Sequence, residues 1–158
     1  APLFLGSAAS FFVDDVPLSE MYRALVDTGA ERLVEVVRAV LETQPVLVHC
    51  TVGKDRTGVA VALMLAAVGV ERAAVVDDYA RTEALLPPAR NARVLAYLRA
   101  AHPQARHLDE LATRSPAPVM SGLLDELDAR YGSPADYLRA QGVRDDELAE
   151  LRRVLIAG

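Results

Sequence analysis

The chain has 158 residues, 52% of them hydrophobic, enough for one domain with a packed core, and this excludes a disordered protein. A formal net charge of −5 excludes a surface built as a whole for nucleic acid or anionic membrane, while leaving room for a local positive site. A single cysteine, Cys50, excludes an internal disulfide, so the fold relies on packing.

The first stretch, "APLFLGSAASFF", has no basic n-region and does not read as a signal peptide. The expected location is the cytoplasm, or outside the cell without a visible signal peptide. Because the chain begins with Ala rather than Met, residues upstream of Ala1 are expected. Pro2 to Leu5 reads as a strand end, and Asp14 and Asp15 sit in a turn before Pro17. Ser19 is expected to cap a short helix reaching about Val26. Thr28, with Glu31 three positions on, reads as a capping box. The helix it opens places Leu33, Val36, Val37, Val40 and Leu41 on one face. Pro45 to His49, "PVLVH", is a short apolar run that predicts a buried strand.

A helix is expected from Arg56 or Thr57 to near Gly69. Its apolar run, Thr57 to Val70, falls short of the roughly 20 residues of a membrane span. Further helices are predicted over Glu71 to Leu85, ended by Pro87-Pro88, and over Ala89 to Ala101. Residues 102–114 show no clear period. Ser115-Pro116 opens a helix to Tyr131 with Gly132 at its end. Ser133-Pro134 repeats that device for a short helix ending at Gly142, and Asp145 caps a last helix through Leu155. With no internal repeat and no linker, residues 1–158 read as a single domain. One buried strand alone leaves its N–H and C=O groups unpaired. The sheet is therefore expected to be completed by residues upstream of residue 1.

The chemistry is carried by "HCTVGKDRTG", His49 to Gly58. A strand ends at Cys50, the chain turns, and a helix begins. Helix N-termini present free N–H groups and the positive end of the macrodipole, and loop amides add an anion nest. Gly53 permits the tight turn, and Arg56 offers a planar fork for two phosphate oxygens. Thr51, Val52, Gly53, Lys54, Asp55 and Arg56 together form a cradle for a phosphate or sulfate ion. The same field lowers a thiol pKa from about 8.5 to roughly 4–7, making Cys50 a nucleophile toward phosphorus. Thr57 is placed to hydrogen-bond the sulfur, and His49 to orient the loop. One Cys and three scattered His are a poor metal set, and no organic cofactor is needed.

This stretch resembles the His-Cys-five residues-Arg-Ser/Thr signature of the cysteine-dependent protein tyrosine phosphatases. The Gly-Lys-Asp-Arg-Thr-Gly form is similar to the bacterial tyrosine and phosphoinositide phosphatases. "DYARTEALLP" (Asp78 to Pro87) and "YGSPADYLRAQGV" (Tyr131 to Val143) extend the likeness to downstream helices. The resemblance implies an α/β phosphatase sandwich, helix-rich in this chain. It also implies hydrolysis of phosphotyrosine proteins, and of phosphoinositides, through a phosphocysteine. The alternatives are a phosphate-binding pseudophosphatase, a partner-dependent phosphatase fragment and a sulfurtransferase-type persulfide enzyme, the last a poorer match to Arg56 and Thr57.

A leaving oxygen needs a proton. The family usually draws it from an Asp on an upstream loop after a strand resembling Pro2 to Leu5, but here Gly6, Ser7 and Ala8 follow. Asp55 is the expected acid, with Asp14 or Asp15 as alternatives on a lid-like segment. Myotubularin lipid phosphatases carry an Asp at the matching position. Lys54 is expected to present a second cation beside Arg56, which in the resembling enzymes goes with extra negative charge on the substrate. Phe11, Phe12 and Tyr22 are candidates for the pocket wall. Arg90 and Arg93 share a helix face and read as solvated.

Overall fold

The structure, a computed structural model, describes residues 14–156. The expectations placed on Pro2 to Leu5, on Gly6 to Ala8 and on Phe11 and Phe12 lie outside these residues.

Ten helices form the described fold: α1 Leu18–Asp27, α2 Ala30–Glu42, α3 Arg56–Ala67, α4 Arg72–Ala80, α5 Thr82–Leu85, α6 Pro88–Ala101, α7 Leu108–Thr113, α8 Ala117–Tyr131, α9 Pro134–Ala140 and α10 Asp145–Leu155. Helix α3 is central, packed against α1, α2, α4, α9 and α10. Its composition explains why. Val59, Ala60, Ala62, Leu63 and Met64 are all buried, and α3 is apolar around most of its circumference. The surrounding helices are amphipathic. In α1, Leu18, Met21, Tyr22, Leu25 and Val26 make a buried stripe at helical spacing. In α2 the stripe is Leu33, Val34, Val36, Val37 and Val40, with Leu41 packed at its margin.

Helix ends follow the expected breakers in part. Helix α3 closes with Val70 N donating to Leu65 O and Gly69 N to Ala66 O, and Gly69 holds φ +88. That left-handed position favours glycine. Ser133 caps α9 by accepting from Asp136 N at 3.0 Å. Four expected caps are different. Ser19 lies inside α1, whose N-cap is Pro17. Thr28 turns its hydroxyl back onto Ala24 O at 2.7 Å, so it finishes α1 rather than starting α2. Ser115 does not cap α8; it is buried and bonded to α5 and to the end of α4. Asp145 is the first residue of α10, and Glu147 reaches back to Arg144 N at 2.8 Å. The single helix expected over Glu71 to Leu85 is two, α4 and α5.

The predicted burial of Pro45 to His49 is the main correction. No strand is present among the described residues. Residues 46–50 are non-helical, with Leu47 82% and Val46 40% exposed. A run of apolar residues signals burial only if an element lies on each face, and none of the described helices covers Leu47.

Helices α6 and α7 pack on each other around a small separate cluster of Leu98, Leu108 and Ala112. No helix of the described residues is long and apolar enough to cross a membrane.

Helix α9 is tied to α1 by one buried hydrogen bond. Tyr137, fully buried, donates to Val26 O at 2.6 Å, one of the carbonyls that the end of α1 leaves without a helical partner. Tyr137→Phe keeps the ring and strands that carbonyl. It should lower stability by about 1–3 kcal/mol, read as a shift in the urea unfolding midpoint at unchanged slope.

Candidate active site

Residues 50–56 turn directly into α3. Gly53 has φ +73, and a Cβ there would meet nothing within 4 Å, so the backbone conformation rather than crowding requires glycine. Burial alone would raise the Cys50 thiol. The Thr57 hydroxyl and the amides of Thr57, Val52 and Gly53 outweigh it and hold the thiol below its ordinary pKa. The groups that favour the thiolate thus come from the loop and the first turn of α3. Thr57 Oγ1 is buried, and its hydroxyl is among the groups that hold the Cys50 thiol low. Arg56 spans the loop, its Nη2 donating to Thr51 Oγ1 at 3.0 Å.

Asp55 occupies the N-cap of α3, yet its carboxylate does not cap the helix. An N-cap Asp ordinarily accepts from its own helix amides. Here Oδ1 instead accepts from Lys54 Nζ at 2.5 Å and from Tyr22 OH at 2.7 Å. The amides at the start of α3 are thus left uncapped by this carboxylate.

Lys54 corrects the reading of a cation facing substrate. Its side chain is 0% exposed, and Nζ also donates to Arg114 O at 2.9 Å. The ammonium points into the protein, below the loop. Tyr22 joins the site as expected, but beneath Asp55 and fully buried, not as a pocket wall. His49 is exposed, with Nδ1 3.3 Å from Cys50 O. Asp15 is used elsewhere: its carboxylate accepts from Arg106 N and His107 N, and these two amides hold its pKa low. That places it at the start of α7, with no hydrogen bond to the loop. Asp14 is exposed. Arg90 is not a free surface residue, since Nη1 donates to Ala112 O.

Four supporting residues were not legible in the sequence. Tyr79 OH lies 2.7 Å from Tyr22 OH. Glu83 accepts from Ser115 N at 2.7 Å while its own amide donates to Ser115 Oγ at 2.9 Å. Glu83 also accepts from Arg114 Nε at 3.2 Å, fixing the strip whose carbonyl holds Lys54. Their contacts span 31 residues or more in sequence, which no local pattern encodes. A groove of about 90 Å³ runs along α3 beside the loop, lined by Gly53, Thr57, Val61, Val75, Asp78 and Tyr79 among others.

Hydrogen bonds to a thiolate favour it over the thiol, so their removal raises the pKa. Thr57→Val should therefore move the pH at which iodoacetamide alkylates Cys50 upward. The wild-type thiol should react at lower pH than an unperturbed thiol, read by mass spectrometry across a pH series.

The sequence model of the tyrosine phosphatase family matches residues 11–157. The chain is 37% identical over 144 residues to the triple specificity protein phosphatase PtpB of Mycobacterium tuberculosis, covering 81% of this chain and 50% of that protein. It is 34% identical over 110 residues to a tyrosine-protein phosphatase of Nostoc commune, covering 68% of this chain and 37% of that one. The chain thus spans half or less of the length of these curated relatives. With the family match running almost end to end across the loop and its supporting helices, the chain belongs to the tyrosine phosphatase family.

Proposed function

We propose that this chain hydrolyses phosphate monoesters, chiefly phosphotyrosine, through a phosphocysteine on Cys50. The observation that carries the reading is the loop itself: Cys50 precedes a glycine at φ +73 and the N-terminus of α3, and Arg56 reaches across to Thr51 Oγ1 at 3.0 Å. The amides of Val52, Gly53 and Thr57, which favour the Cys50 thiolate, suit it and, above it, the oxygens of a phosphoryl group. Arg56, at the first position of α3, adds the planar fork that binds two of those oxygens.

In the first step the thiolate attacks phosphorus in line with the ester oxygen. The S–P bond forms, the P–O bond breaks, and the leaving oxygen takes a proton. In the second step water attacks phosphorus, the S–P bond breaks, and inorganic phosphate leaves with the thiolate restored. Arg56 and the loop amides carry the charge on the equatorial oxygens through both steps. Thr57 donates to the sulfur as it departs.

We assign the proton to Asp55. Its Oδ1 holds the bonds from Lys54 and Tyr22, which makes Oδ2 the oxygen that exchanges a proton with the leaving group. Lys54 positions this carboxylate and does not meet substrate. Without that cation at the mouth, phosphotyrosine is the favoured substrate class and phosphoinositides the secondary one. The name of the mycobacterial relative, triple specificity phosphatase, supports a range wider than phosphotyrosine. We read residues 45–49 as a strand whose ladder partners lie outside the described residues, a reading supported by the exposed Leu47.

Two experiments test this. Cys50→Ser should abolish phosphate release from p-nitrophenyl phosphate and from a phosphotyrosine peptide while a phosphate analogue still binds. Turnover by that variant would refute the phosphocysteine. Asp55→Asn should lower kcat by about 10²–10⁴-fold on phenyl phosphate and much less on substrates with good leaving groups. Equal losses across the series would remove Asp55 from the acid role.

A further inference from the structure

Gly58 and Tyr79 have no part in the chemistry described so far, yet they meet at the base of the site. Tyr79 is 4% exposed on α4 and Tyr22 0% exposed on α1, and their hydroxyls lie 2.7 Å apart. The rings stand edge to face, with centroids 5.9 Å apart at 78°. Tyr22 OH in turn donates to Asp55 Oδ1 at 2.7 Å.

The direction of this chain follows from counting protons. A carboxylate accepts, and a phenol has one proton to give. Tyr22 gives its proton to Asp55, so the bond between the phenols must run from Tyr79 to Tyr22. Burial, first of all, raises both phenols and keeps them protonated. Hydrogen bonds arranged head to tail polarise one another, so the outer donor strengthens the inner one.

Gly58 sets the reach of Tyr79. A Cβ at Gly58 would lie 3.0 Å from Cδ2 and 3.3 Å from Cε2 of the Tyr79 ring. The ring therefore rests directly on the first turn of α3, which lets its hydroxyl arrive at Tyr22. The last glycine of "HCTVGKDRTG" thus has a use separate from the phosphate loop.

We infer that Tyr79, seated on Gly58, is a positioning residue that holds the Asp55 carboxylate through Tyr22. The inference rests on the reading of Asp55 as the proton donor. Tyr79 touches no reacting atom, so its effect appears only where Asp55 matters.

The test is a double-mutant cycle in the whole chain, with Tyr22→Phe, Tyr79→Phe and both together. Steady-state rates are measured on aryl phosphates from p-nitrophenyl to phenyl, with thermal unfolding as a check on folding. Tyr79→Phe should lower kcat on phenyl phosphate by about 2- to 10-fold, the worth of one hydrogen bond, with KM unchanged and p-nitrophenyl phosphate little affected. In the Tyr22→Phe background the same change should cost nothing further. Wild-type kcat on phenyl phosphate in Tyr79→Phe, or a loss that multiplies in full in the double variant, would overturn the inference. Asp55→Asn on the same series keeps the two readings apart. A loss there that ignores the leaving group removes the acid role. Whether the Tyr79 effect vanishes without the Tyr22 hydroxyl still decides the positioning chain.

Discussion

The contact between Lys54 and Asp55 is the constraint on which the site depends. An ammonium with no exposed surface is costly to desolvate, and a single hydrogen bond does not offset it. Lys54 has two acceptors, the Asp55 carboxylate and Arg114 O, and each comes from a different part of the fold. The loop is thereby fastened from beneath. Removing one member of such a buried pair costs about 3–5 kcal/mol, so the arrangement tolerates little play. The Glu83–Ser115 exchange fixes the far anchor, because it holds the strip carrying the Arg114 carbonyl against α5.

This anchoring has an electrostatic result. Asp55 is adjacent in sequence to the amides it would ordinarily cap, and a carboxylate placed over them would cancel the positive end of α3. Lys54 and Tyr22 draw it to one side instead. The helix terminus then acts on Cys50, whose thiol is held low despite its burial. One displacement, the turning aside of an N-cap carboxylate, leaves the first amides of α3 uncapped by it and holds the carboxylate against Lys54 and Tyr22. The negative net charge of the chain is no obstacle, because the favourable field is local.

How far the sequence could be read follows from where each residue finds its partners. The loop was legible because sulfur, glycine and arginine act within nine residues of one another. So were the amphipathic stripes of α1 and α2, which a single helical period encodes. Thr28 and Ser115 were misread because a hydroxyl beside a helix start is ambiguous: each had a better acceptor or donor elsewhere. Lys54 was misread for a deeper reason. Lysine is usually solvated, and its burial here needs the carbonyl of Arg114, 60 residues away, in addition to the neighbouring Asp55. The segment at 45–49 has the composition of a buried strand, but the described residues supply nothing to pair with or cover it.

Helices α6 and α7 share a three-residue cluster of their own and have their main packing with each other. They are joined to the remainder by Leu111 of α7, which is buried in the main core, and by polar contacts: Asp15 to the amides of Arg106 and His107, and Leu18 N to Glu110 at 3.5 Å. With one core leucine as its apolar anchor, this unit is expected to open before α3 and its neighbours, and its amides to exchange with solvent sooner than those of α3.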